Sequence, residues 1–116
     1  MARIALLTLI LALPTLVQAQ EVYGNEEGCS RLTDAPIPGD GATLWYPDRM
    51  EFHESSCPIA GVLAVGSGAT VVTLTCSGEG ETWQSHYLLR TTAEPDTFLL
   101  SPEEYPDMQT MLRPCR

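Results

Sequence analysis

Both histidines of this 116-residue chain lie on polar faces of alternating stretches, where they could serve as metal ligands. Glu51 and His53 lie two residues apart in the alternating stretch Met50–Glu54, so on a strand they project from one face while Met50 and Phe52 project from the other. His86 falls on the polar side of a second alternating stretch, with Thr82 and Gln84. Brought onto neighbouring strands, Glu51, His53 and His86 would offer the oxygen and nitrogen donors that zinc or copper accepts. Two histidines on polar faces also describe an ordinary solvated surface. That is the expectation here, with no cofactor.

A second group is Cys76-Ser77-Gly78-Glu79-Gly80-Glu81-Thr82-Trp83. Its glycines suit a hairpin turn. Glu79 and Glu81 bracket Gly80 close to a large aromatic, which makes a presented loop able to bind a basic partner with Trp83 as its anchor. By parity Trp83 shares a face with Tyr87 and Leu89, and large aromatics are mostly buried, so the simpler expectation for Trp83 is the core. No D-x-D-x-D-G calcium loop, G-x-S-x-G elbow, phosphate loop, H-E-x-x-H pair or dinucleotide fingerprint occurs. The expectation is a protein without catalysis.

The charge balance narrows the partners. Fifteen acids face six arginines and no lysine, for a net charge of −9. A surface this acidic repels nucleic-acid phosphate. Schiff-base chemistry is excluded for want of a lysine amine.

Residues 1–19 read as a secretory signal peptide: Arg3 is the lone charge, Ile4–Leu13 is apolar, Pro14 follows, and Val17-Gln18-Ala19 suits cleavage after Ala19. The apolar run is too short for a hydrocarbon core of about 30 Å, and no later run reaches the ~18 residues of a spanning helix, so no membrane insertion is expected after cleavage. The remainder, residues 20–116, is expected to form a single small domain with five arginines against fifteen acids, a net of −10. Its apolar share falls below the 44 % of the whole chain.

Export to the periplasm or beyond would make the four cysteines, Cys29, Cys57, Cys76 and Cys115, two disulfides. No C-x-x-C pair points to redox chemistry or zinc instead. Three pairings are open. Cys57–Cys76 is favoured as a link between neighbouring strands, and Cys29–Cys115 as a tie between the domain's ends. Chain entropy assigns these about 3 and about 4.6 kcal/mol, a useful supplement to a lean core.

Short apolar or alternating stretches recur between glycine and proline turns: Ala42–Tyr46, Met50–Glu54, Ile59–Val65, Thr70–Cys76, Trp83–Leu89 and Phe98–Leu100. Residues 20–41 read as loop, with at most a helical turn over Glu26–Leu32 weakened by Gly28. Ser101-Pro102-Glu103-Glu104 has the form of a capping box for one helical turn. Met108–Leu112 reads as a last strand or a short helix. The whole predicts an all-β fold: an antiparallel meander of five or six strands forming a small barrel or sandwich.

The frame of Cys57 and Cys76, the Ser77–Trp83 turn and the terminal Pro114-Cys115 resembles small exported, cysteine-stapled proteins of unknown function in Gram-negative bacteria. That resemblance implies a periplasmic location and no particular activity. In architecture the chain is more loosely similar to periplasmic lysozyme inhibitors, disulfide-stapled β domains that act on a basic enzyme. Those carry a Ser-Gly-x-x-Tyr loop, whereas here Ser77-Gly78 leads to Glu79-Gly80-Glu81 and the aromatic is displaced to Trp83. The function expected is a non-enzymatic interaction module whose acidity suits a basic protein, inhibitor-like in mode. A small-ligand or metal-binding β-barrel, with the ligand inside or at the mouth, is the alternative, and an open, lined cavity would favour it.

Overall fold

The structure is a computed structural model that describes residues 21–116; the leader expected over residues 1–19 lies outside them. Eight strands form a closed antiparallel barrel in sequence order: β1 (Tyr23–Gly24), β2 (Thr43–Trp45), β3 (Arg49–Phe52), β4 (Ser56–Gly66), β5 (Ala69–Gly78), β6 (Glu81–Thr91), β7 (Phe98–Pro102) and β8 (Thr110–Pro114). One short helix, α1 (Glu26–Ser30), follows β1. The antiparallel all-β expectation holds, but the count of five or six strands does not. The sandwich alternative fails as well, because β1 pairs with both β2 and β8 and closes the sheet. A two-residue strand has no alternation to read. Tyr23–Gly24 is strand only because Trp45 and Leu44 on one side, and Pro114 and Arg113 on the other, offer it partners.

β4, β5 and β6 have 11, 10 and 11 residues, whereas the other strands have two to five. The long strands therefore overrun the barrel at both ends. Inward-facing residues of every long strand, with their partners, fill the axis: Met50, Cys57, Leu74 and Leu112 are fully buried, and Val72, Cys76, Leu89 and Leu100 complete the cluster. Tyr23, Trp45 and Phe98 pack mutually at ring-centroid distances of 5.1–5.5 Å, and Phe52 stacks on Tyr87 at 5.4 Å. An interior filled in this way leaves the axis to side chains rather than to a ligand.

Both favoured disulfides are present. Cys57–Cys76 links facing residues of β4 and β5, and Cys29–Cys115 joins α1 to the residue after β8. One local expectation is corrected and one open choice is decided. Ser101 and Pro102 belong to β7, with Ser101 buried, and the chain then makes successive turns closed by Tyr105 N–H donating to Pro102 C=O and Met108 N–H to Tyr105 C=O. The capping-box pattern is overridden because Pro102 has a strand partner in Tyr87. Over Met108–Leu112, the strand reading is right from Thr110 onward.

Asn25 caps the five-residue α1 and ties it to β2. The Asn25 side-chain oxygen accepts from Gly28 N–H at 2.8 Å and from Thr43 N–H at 3.0 Å, while its amide donates to Gly41 C=O at 2.6 Å. Gly28 is required by proximity: a Cβ there would lie 2.1 Å from the Thr43 carbonyl oxygen of β2. Gly28→Ala is expected to destabilise the protein by about 1–3 kcal/mol, as an overpacked site does, although alanine is the better helix former. Urea unfolding of the variant checks this, and an unchanged or higher midpoint would contradict the close approach.

Candidate functional site

The three candidate metal ligands do not meet. Glu51 faces Ser56, Ser56 faces Ser77, and Ser77 faces Thr82, so β4 and β5 stand between Glu51 and the strand that carries His86. Three inter-strand steps of about 4.8 Å put them roughly 14 Å apart. Each is also engaged locally. Arg49 Nε donates to Glu51 Oε1 at 3.1 Å, with the same guanidinium on Asp48 at 3.0 Å and over the Tyr46 ring at 3.9 Å. Arg31 Nη2 donates to His53 Nδ1 at 2.6 Å, which leaves the ring proton on Nε2, 3.6 Å from Glu54 Oε1. His86 Nδ1 shares a 3.0 Å hydrogen bond with Thr73 Oγ1. Among the described residues no group of three His, Cys, Asp or Glu side chains could hold a metal ion.

The acidic turn fares differently. β5 and β6 are joined by Glu79-Gly80, with Gly78 facing Glu81 and left-handed φ at both turn residues, 50° and 78°. That is the pattern of a type I′ hairpin turn, whose first position favours Asn, Asp or Gly. Glu79 is thus held where its own type is disfavoured. Trp83 faces Cys76 and shares the inner face with Tyr87, as parity requires. The core expectation for it nevertheless fails, since Trp83 is 40 % exposed. At this level β6 has run past β7, whose pairing with it stops at Tyr87–Pro102, so no β7 residue pairs with β6 beside the indole.

The β3–β4 turn closes the other flank. Glu54 and Ser55 join Gly78, Glu79, Glu81 and Trp83 around an open cleft of about 250 Å³. Gly78 sits tight against both walls: a Cβ there would lie 2.9 Å from the Glu54 carbonyl oxygen and 3.4 Å from the far edge of the Trp83 ring. Three exposed carboxylate side chains thus surround a half-exposed indole that is backed by the Cys57–Cys76 bridge. Among the described residues, no ion pair involves Glu79 or Glu81. Such a site suits an ammonium or guanidinium: the indole face attracts the cation and the carboxylates accept its hydrogen bonds.

Glu54 is the member that the sequence reading missed. Its signal was the favoured disulfide itself. If Cys57 faces Cys76 on antiparallel strands, then counting outward sets Glu54 beside Glu79.

Tyr87 stacks on Phe52, and burial pushes its phenol above the ordinary tyrosine value. Tyr23, through burial and then Glu21, and Tyr46, through burial and then Glu51, move the same way. Folding therefore favours the protonated phenols. Below about pH 10 both states keep these protons; above it the unfolded chain loses them first, so stability falls as pH rises. Urea midpoints measured on either side of that value should show the fall, less steep in Tyr87→Phe. An equally steep fall in that variant would remove Tyr87 from the explanation.

Among the described residues no helix is long and apolar enough to cross a membrane. Compared with protein-family models, curated proteins and solved structures, the chain shows no significant match to any of them.

Proposed function

We propose that the protein is an exported, non-catalytic interaction module that takes a lysine or arginine side chain of a basic protein into the Trp83 cleft. The observation that carries this reading is the indole of Trp83, 40 % exposed among Glu54, Glu79 and Glu81 on a disulfide-backed hairpin. A net charge of −10 over residues 20–116 would steer a cationic partner toward it. The leader pattern and the two disulfides support a periplasmic or secreted setting. Seated on a basic enzyme, the module would act as an inhibitor. A ligand held inside the barrel loses its support, because Met50, Leu74, Leu112 and the Cys57–Cys76 bridge occupy the barrel axis.

Immobilised protein tests the proposal by capture from periplasmic extract at low and high salt. Basic proteins should be retained at low salt and released at high salt, and Glu79→Gln/Glu81→Gln should retain them more weakly at low salt. Retention of the same proteins at both salts, or of none at either, would sink it.

A further inference from the structure

The other overrunning end of the barrel differs in chemistry from the acidic one. β4 pairs with β3 only through Ser56, Cys57 and Pro58. Beyond the hydrogen bond from Ile59 N–H to Asp48 C=O, nothing among the described residues pairs with the outer edge of residues 60–66. Such an edge is a template for another strand, and proteins usually guard it with lysine or another charge. Here residues 55–78, the whole β4–β5 hairpin, contain no charged residue, in a chain with 21 of them. Val62, Leu63 and Val65 are 67 %, 66 % and 53 % exposed on it. Register shifts fall between Ile59 and Gly61 and between Ala64 and Gly66, and they bracket a regular stretch in which Gly61 to Ala64 face Thr73 to Thr70.

We propose that this edge is where a second copy of the chain docks, β4 against β4, antiparallel about a two-fold axis at Leu63. The sequence complements itself there. Pairing about Leu63 sets Val62 opposite Ala64 and Val65 opposite Gly61, so both valines meet small residues, while Leu63 meets its own copy on the axis. Face parity agrees, because Val62 and Ala64 share the face of Val72 and Thr70, and Leu63 takes the opposite one. Charge selects a copy for this site and no other. Two chains of net −10 repel wherever their acids meet, and the hairpin is the stretch where they do not. The two ends of the barrel then divide the work: the acidic end meets cationic side chains, and the uncharged edge meets another copy.

Sedimentation or light scattering of the purified protein over a concentration series tests this. A reversible dimer is expected. Its association should strengthen as salt shortens the screening length from about 30 Å at 0.01 M to about 3 Å at 1 M, opposite to the response expected at the Trp83 cleft. Leu63→Lys should weaken association by at least ~10-fold, because two like charges would face each other across the axis. The substitution lowers the net negative charge, so a general charge effect would act the other way. Met111→Lys, at a 46 % exposed site on β8, is the control and should leave the dimer intact. A monomer at all concentrations and salts, or equal association in wild type and Leu63→Lys with native circular dichroism, would overturn the proposal. A dimer lost equally in Met111→Lys would also overturn it. None of these results bears on Trp83.

Discussion

Replacing Cys29 and Cys115 together by alanine is expected to lower the stability of the protein by about 4.6 kcal/mol, from the entropy of a loop of this length. The separation is 86 residues, so the bridge restrains nearly the whole domain in its unfolded state. Small domains are stable by only about 5–15 kcal/mol, so a loss of this size leaves a protein close to its folding threshold. The position of the bridge adds a directional expectation. β1 is the seam of the barrel, two residues that join β2 to β8, and Cys115 N–H donates to Val22 C=O at 2.8 Å beside it. Without the bridge the seam should open first. Amide exchange should quicken on β1, β2 and β8 before it does on β4, β5 and β6, which pair over ten or more residues. Uniform loss of protection would mean that the bridge acts on the unfolded chain alone.

The second large effect concerns binding. Trp83→Ala should weaken capture of a cationic partner by ~30-fold or more, in the range of about 2 kcal/mol or more for tryptophan anchors, with the change mainly in dissociation. Glu79→Gln and Glu81→Gln should each cost only about 2–5-fold, since exposed ion pairs are worth about 0.2–1 kcal/mol, and should act mainly on association rate and salt dependence. Glu79 adds a test that separates function from stability. Its φ of 50° suits Asn better, so Glu79→Asn should stabilise the protein by about 0.5–1 kcal/mol, part of the usual cost of a left-handed residue, while weakening binding. A variant both less stable and equally competent in binding would contradict the idea that Glu79 is kept for its charge.

How far the sequence reaches is visible in particular residues. Val72, Leu74 and Cys76 alternate with threonines, and the strand they predict is present with that face buried. The disulfide pairing was legible because Cys57 and Cys76 lie on stretches that short turns make neighbours. What alternation cannot show is how far a strand runs past its neighbour. Trp83 has the parity of the core and the exposure of a surface because β6 outlasts its pairing with β7. At the other end β4 outlasts its pairing with β3, which leaves Val62 beside buried Val72 yet two-thirds exposed. Glu51, His53 and His86 show the converse: their types suit a ligand set, but the strands that carry them are held apart by β4 and β5, and register follows from partners rather than from spacing.

The most direct measurement is an amide and indole NMR titration of the purified protein with an arginine-rich peptide, at low salt and again at high salt. The two indole N–H signals separate the sites, because Trp45 is packed against Tyr23 and Phe98 whereas Trp83 stands in the acidic cleft. At low salt the Trp83 signal and the amides of Glu54, Glu79 and Glu81 should shift together and saturate, with Trp45 still, and the shifts should vanish at high salt. Shifts scattered over the surface with Trp83 unmoved, or shifts at Trp83 that ignore salt, would contradict a cation-binding end on this barrel.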